Sequence, residues 1–417
     1  MYKKAFLDNG IPVVMEKLKA VHSVSLGIWV KVGSRNELPE KNGISHFIEH
    51  MFFKGTARRS AKDLAISIDS IGGDLNAFTS KEGTTFYVKV LDEYLDKGVE
   101  LLSDIFLHST FPEDEIEKEK GVIKEEIKMV EDTPDDYAHE LFNKAVWGSN
   151  GLGQPILGKR ETIKTFSKED LLNYIKKYYG TKDTVISCAG NFEPEDLMAL
   201  LNRHLGSLRR GSEPKRGNAA EFRPAVDIRA KHYSEAHICI GVKGIHQASP
   251  MRYALSALDT ILGASVSSRL FQEIREKRGL AYSIHSFAAS YADTGFWAVY
   301  AGTGRKKVGE VIELIVKELR GLPDSITASE LERAKMQIKG SLILSLESAS
   351  GRMQSIARQE IYYGRYHSPE EIMKEIESLS LPKVKEFSEQ LLKNSPIALT
   401  VVGPVDKGRV LASLPPL

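Results

Sequence analysis

Two histidines four residues apart, His46 and His50, frame a glutamate, Glu49, in the segment GISHFIEHMFFKGT (residues 43–56). On a helix this spacing stacks both imidazoles on one face, where they can grip one metal ion, and leaves Glu49 beside them. Such a trio suits hydrolysis. Two neutral ring nitrogens hold a zinc ion, and a carboxylate close to the metal, but not on it, takes a proton from water. The order His-x-x-Glu-His inverts the commoner zinc-protease motif, and helix geometry is indifferent to the direction. The same five residues could form an ordinary polar helix face. Against that, Ile44, Phe47, Ile48, Met51, Phe52 and Phe53 make the segment apolar around most of its circumference, so the trio is expected to be buried. Buried titratable groups need partners, and a metal is the economical one.

Catalytic zinc takes three protein ligands and keeps a fourth position open. The third ligand should lie on a neighbouring element. The segment EDEIEKEKGVIKEEIKMVED (113–132) is helical in pattern and rich in acid, with Ile116, Val122, Ile123, Ile127 and Val130 marking its expected buried side. Spacing alone does not choose among its glutamates.

The elements around these residues recur. SVSLGIWV with Gly27 matches HICIGVKG with Gly241 at an offset of 214. Phe86 then matches Phe296 at 210, Glu115 matches Glu330 at 215, and Gly190 matches Gly403 at 213. Four ordered landmarks with small slips predict two copies of one fold. Between them RRGSEPKRGNAAEFRP (209–224) has the Gly, Pro and charge of a linker, which places one domain at 1–208 and the other at 225–417. Strand-like runs such as IPVVMEK, VSLGIWVKV and TFYVKVL, then HICIGVK, GFWAVYA and IALTVVG, are interleaved with helical patterns. They do not alternate strictly with helices. The expected class is therefore α+β: two tandem, similar domains, each a mainly antiparallel sheet packed with helices.

These residues resemble the inverse-zinc-motif peptidases of the pitrilysin, insulin-degrading and mitochondrial-processing type. The likeness runs over essentially the whole chain and is best for the short bacterial members, in which one polypeptide is half of a clamshell. In that family the third ligand is a Glu about 76 residues after the second His, in a pattern like G-V-I-x-x-E. The resemblance thus implies Glu126, within GVIKEE, as the third ligand, and Glu119 as the carboxylate that supports the ligands. In GGDLNAFTSKEGTTFY it implies an edge strand whose Asn76 and Ala77 hold an extended substrate by strand addition. In EIREKRGLAYSI it implies Arg275 and Tyr282 as a pair that binds peptide and meets the oxyanion. Asp136 and Glu140, four apart, resemble the acidic pair with which processing-type relatives bind an arginine, in reversed order. Sliding the metal set into the second copy reaches Ser256, Asp259, Thr260 and Ser341, which cannot hold zinc. One zinc per chain is expected. A single-length chain supplies two of the four domains of a closed chamber, so the partner half is expected to be a second copy, in a homodimer that cleaves peptides or extended segments. The rival reading is a non-catalytic scaffold subunit, or an active half with an inactive partner. Scaffold relatives lose a ligand or the base, whereas this chain keeps the full set.

Composition excludes other classes. With 57 Lys+Arg against 56 Asp+Glu in 417 residues, the net charge of +1 gives no basic field for nucleic acid or an anionic membrane. Cys188 and Cys239 sit in apolar strand-like runs and read as reduced, buried thiols. Asp8, Asn9 and Gly10 interrupt the start before the apolar core of roughly 7–15 residues that a signal peptide needs, and no apolar run reaches about 18 residues. A cytoplasmic protein is expected. Residues 153–159 fit G-x-x-x-x-G-K, but Arg160 replaces the magnesium-binding hydroxyl and Pro155 removes a phosphate-facing N–H, so the segment is not read as a nucleotide site.

Overall fold

Every residue of TVISCAG and of ALTVVG is buried, as expected of strands covered on both faces. The computed structural model, which describes residues 1–212, 219–412 and 414, places each of these strands inside its own sheet. The first sheet contains β1 (Tyr2–Phe6), β2 (Pro12–Lys17), β3 (Ser23–Val30), β4 (Asp74–Thr79), β5 (Thr84–Leu91) and β6 (Thr184–Gly190), in the order β1-β2-β6-β3-β5-β4. The second contains β7 (Val226–Ala230), β8 (Ala236–Lys243), β9 (Ala281–Ser290), β10 (Gly295–Thr303) and β11 (Ala398–Gly403), in the order β7-β11-β8-β10-β9. Both are antiparallel apart from one pair each, β2 with β6 and β7 with β11. With β1 set aside the two orders are the same, so the repeat expected from the landmarks is a repeat of topology, and the α+β class holds.

The agreement extends to single torsions. Gly190 and Gly403 end the equivalent strands β6 and β11 with φ of 139° and 144°. A Cβ there would meet a backbone oxygen, of Ser23 in one repeat and of Glu235 in the other, at 2.2 and 2.5 Å. Only glycine fits both the torsion and the approach.

The first five α-helices in chain order are α1 (Ile44–Phe52), α2 (Ala61–Asp69), α3 (Leu95–His108), α4 (Glu113–Asp132) and α5 (Pro134–Trp147). The chain divides into two compact units that are not contiguous in sequence. The first comprises Met1–Lys128, Gln154–Gly217 and Leu344–Tyr366; the second comprises Met129–Gly153, Asn218–Ile343 and His367–Leu417. The expected division into 1–208 and 225–417 therefore needs correction at two helices. Helix α5 packs on β8 and β11 of the second sheet, burying Leu141, Phe142 and Trp147 there with Phe296. Its counterpart, the helix Ala349–Tyr363, packs on β2, β3 and β6 of the first sheet, with Ile356 against Val14 and Val185. Each is amphipathic, and period alone does not say which of two similar sheets will cover an apolar stripe. Of the expected linker, residues 213–218 lie outside the described residues. The ends of that stretch are docked, since Ser212 N–H donates to Lys177 O at 2.8 Å and Arg223 N–H to Val146 O at 2.9 Å.

Candidate active site and metal centre

Helix α1 is anchored before it is functional. Ile44, Phe47, Ile48, Met51 and Phe52 are buried in the first unit's core, each worth about 1.5–3 kcal/mol relative to exposure. Phe52 lies edge-on to Phe86 and Phe111 with ring centres 4.6 and 5.5 Å away. At the helix start, Gly43 takes φ 97° and packs so closely on Gly158 that a Cβ would stand 2.6 Å from its Cα. The apparent phosphate-loop segment is thus a packing loop against the motif helix. The buried Glu37 carboxylate accepts from the N–H groups of Gly43 (2.7 Å) and Ser45 (2.8 Å) and from Asn42 Nδ2 (2.9 Å), capping a positive helix end with an acid. Burial pushes its pKa up to about 7 against those bonds. Nothing in the sequence marks Glu37 for this role.

With α1 fixed, its polar stripe meets α4. His46 Nε2 lies 3.2 Å from His50 Nε2, and Glu126 Oε2 lies 3.9 Å from the first and 3.8 Å from the second. The centre of that triangle is about 2.1 Å from each corner, the length of a zinc–imidazole or zinc–carboxylate bond. Glu126 Oε2 is buried without a hydrogen bond among the described residues. Three atoms that can each offer a lone pair therefore converge on one point, where a cation would satisfy them together. His46, His50 and Glu126 are the one group of this kind found among the described residues. The donor set of two imidazoles, one carboxylate and an open side fits catalytic zinc.

The surroundings tune these groups. Burial, then the neighbouring His50, holds the His46 pKa down to about 3, which leaves its ring neutral with a lone pair to offer. His50 Nδ1 donates to Glu119 Oε1 at 2.7 Å, directing the Nε2 lone pair toward the triangle. Burial opposes protonation of His50, yet the Glu119 bond and the charges of Glu126, Glu119 and Glu49 outweigh it and raise its pKa. For Glu119 burial acts to raise the pKa, but the bonds from His50 and Lys54 overcome it and the carboxylate stays ionised. Burial raises the Glu49 carboxyl above its ordinary value, although Thr79 Oγ1 donates to Glu49 Oε2 at 2.5 Å. Thr79 was legible in principle: with alternation along β4, Leu75, Ala77 and Thr79 share one face.

The structure brings together His46, Glu49, His50, Glu119 and Glu126. The trio on α1 is half-buried rather than buried as expected. On α4, Ile116, Ile123 and Ile127 face the core, but Val122, expected with them, is 46% exposed. Asn76 and Ala77 lie on the edge strand β4, where Asn76 Oδ1 accepts from the Ala77 N–H at 2.8 Å. In the second unit Arg275 sits in a π-helical turn, Phe271–Lys277, with its guanidinium carbon 4.8 and 5.2 Å from the ring centres of Phe271 and Tyr282. Tyr282 is 78% exposed at the start of the edge strand β9. Asp136 and Glu140 lie on α5, and burial with the adjacent Asp135 raises the Asp136 pKa.

Comparison with known proteins accords with this geometry. The profile of the family described as Insulinase (Peptidase family M16) matches residues 12–160, and that of the Peptidase M16 inactive domain matches residues 165–338. The chain belongs to peptidase family M16. Among relatives of this M16 chain, a Bacillus subtilis protein named uncharacterized zinc protease YmxG is 43% identical over 97% of the chain and 98% of its own length. A Streptomyces coelicolor protein, likewise named an uncharacterized zinc protease, is 35% identical over 97% and 90%. Among solved structures, a protease from Helicobacter pylori superposes with a TM-score of 0.89 at 22% identity, covering 97% of this chain and 99% of that one. A chain of Complex III2 from Candida albicans gives 0.85 at 23%, covering 99% of each. Those two likenesses establish the fold.

The second M16 repeat has put its equivalent positions to other use. Ser256 Oγ and Thr260 Oγ1 donate to carbonyls of their own helix, Arg252 O and Ser256 O, at 3.0 and 2.8 Å. Asp259 accepts from Trp297 Nε1 at 2.7 Å, which makes it part of a structural bond between helix and sheet.

Proposed function

We propose that the chain is a zinc metalloendopeptidase that hydrolyses peptides and extended, unfolded segments, holding one zinc ion through His46, His50 and Glu126. The observation that carries this reading is the convergence of three ligand atoms, one of them a buried carboxylate oxygen without a hydrogen bond, beside a carboxylate that is not part of the triangle. When bound, zinc supplies Lewis acidity toward water and a peptide carbonyl. Glu49 takes the proton of the attacking water and returns it to the departing amine, a task its raised pKa suits. Thr79 keeps one oxygen of Glu49 in place. Asn76 and Ala77 offer the edge of β4 to an extended backbone. Arg275, held between two aromatic rings, and the exposed Tyr282 steady the developing negative charge. Asp136 and Glu140 favour a basic substrate residue. The working form is a homodimer in the cytoplasm, and no helix among the described residues is long and apolar enough to cross a membrane.

The test pairs metal content with cleavage. Elemental analysis should find one zinc per wild-type chain and little in His50→Ala. Glu49→Gln should keep the metal and lose peptide cleavage by about a hundredfold or more. A fully active Glu49→Gln protein would remove Glu49 as the base, and wild-type protein that takes up no zinc would remove the metal site.

A further inference from the structure

The hydrogen bond that aims His50 is itself held from outside. Glu119 lies on α4 with 2% of its surface exposed, so each of its carboxylate oxygens must find a partner within the protein. Oε1 accepts from His50 Nδ1 at 2.7 Å, and Oε2 accepts from Lys54 Nζ at 2.6 Å. Lys54 is the second residue past the end of α1. There the chain tightens, with Phe53 N–H donating to His50 O at 3.2 Å and Lys54 N–H to Met51 O at 3.1 Å, and the next residue, Gly55, turns the backbone with φ 116°. This tight exit brings the ammonium back beside the helix it has just left. The Lys54 side chain is 28% exposed, against 3% for that of Glu119, so water reaches the ammonium end of the bond while the carboxylate end stays dry.

We propose that Lys54 is a positioning residue for the metal centre, the outer member of a chain Lys54–Glu119–His50 that fixes the orientation of the His50 ring. The physical basis is rotational. A buried carboxylate with one partner can turn about its last bond and present either oxygen, or an intermediate angle, to His50. A second charge-assisted bond on the other oxygen removes that freedom. The imidazole then presents Nε2 in one direction, and a ligand fixed before the metal arrives loses less freedom on binding it. The sequence signal is slight, a lysine four residues after His50, and its partner is 65 positions away. This inference rests on the zinc-site reading.

The experiment measures zinc affinity rather than turnover. Protein stripped of metal is titrated with zinc ion against a fluorescent chelator, for wild type, Lys54→Met, Lys54→Arg and Glu119→Gln, and for Lys54→Met combined with Glu119→Gln. Lys54→Met should weaken zinc binding by about 10- to 100-fold, the loss typical when a group supporting a metal ligand is removed. Lys54→Arg, which restores a charged donor, should recover most of it. In the Glu119→Gln background Lys54→Met should cost nothing further, because its route to His50 is already cut. Thermal melting of the stripped proteins checks folding, and Lys54→Gln replaces the methionine variant if that one does not fold. Unchanged affinity in a folded Lys54 variant, or an equal loss with and without Glu119, overturns the proposal. Wild-type protein that binds no zinc overturns the metal site and this inference together, an outcome distinct from a silent Lys54 variant.

Discussion

Glu49 and His50 are adjacent in sequence yet are held by different elements, Glu49 by Thr79 on β4 and His50 by Glu119 on α4. The two functions of the motif can therefore be separated by substituting supports rather than the motif itself. Thr79→Val removes the hydroxyl bonded to Glu49 while keeping a β-branched shape suited to a strand. It should lower kcat by about tenfold with zinc content unchanged, and Thr79→Ser should restore most of the rate. A Thr79→Val protein with wild-type kcat would show that Glu49 needs no such support. At this scale the sequence was legible where chemistry follows spacing: His46, Glu49 and His50 share one helix, so four residues of separation suffice. Glu126 was not legible by spacing, since nothing local distinguishes it from its neighbours on α4, and the family likeness singled it out. The face of Thr79 follows from the alternation along β4, whereas Glu37 and Lys54 act through contacts of single polar atoms that leave no periodic trace.

Among elements, the π-helical turn that carries Arg275 is fixed at its entry by Arg269. The Arg269 guanidinium forks onto Glu330, with Nε to Oε1 at 2.8 Å and Nη2 to Oε2 at 2.9 Å, and Glu330 also accepts from Thr327 at the start of the helix Ala328–Ser345. Burial raises the Glu330 pKa, but the Arg269 and Thr327 bonds outweigh it and bring the carboxyl from 4.5 to about 2. A lowered acid pKa means that the stabilisation is complete above about 4.5 and is lost as pH falls through about 2. The melting temperature of the wild type should accordingly fall over that window more steeply than that of Glu330→Gln, and parallel curves would refute the linkage. Elements were read well wherever burial sets the period. The six strand runs picked from apolar pattern all form strands, whereas β1, with Lys3 and Lys4 exposed on an edge, gave no such signal.

For the molecule as a whole, the proposed metal ligands fall at residues 46–126 and the Arg275/Tyr282 pair at 275–282, in different repeats. If a homodimer builds each site from two chains, mixing Glu49→Gln with Tyr282→Phe should return activity toward half of wild type once subunits exchange, although each variant is nearly inactive alone. Exchange without recovery would mean that each chain completes its own site. The duplication itself was legible because both copies keep the same strand order and the same strand-ending glycines. The traded helices were not, because an apolar stripe does not name the sheet that will receive it. That trade also orders events during synthesis. The first unit lacks the cover of β2, β3 and β6 until residues 344–366 have left the ribosome. An emerging chain must therefore carry an open sheet face, with Val14, Val185 and Trp29 wet, from the time β6 emerges until residues 344–366 follow it. The motif helix can form early, but the sheet beneath it closes late, which makes the nascent protein a client for whatever shields apolar surface and sets the time at which the metal centre gains its finished frame.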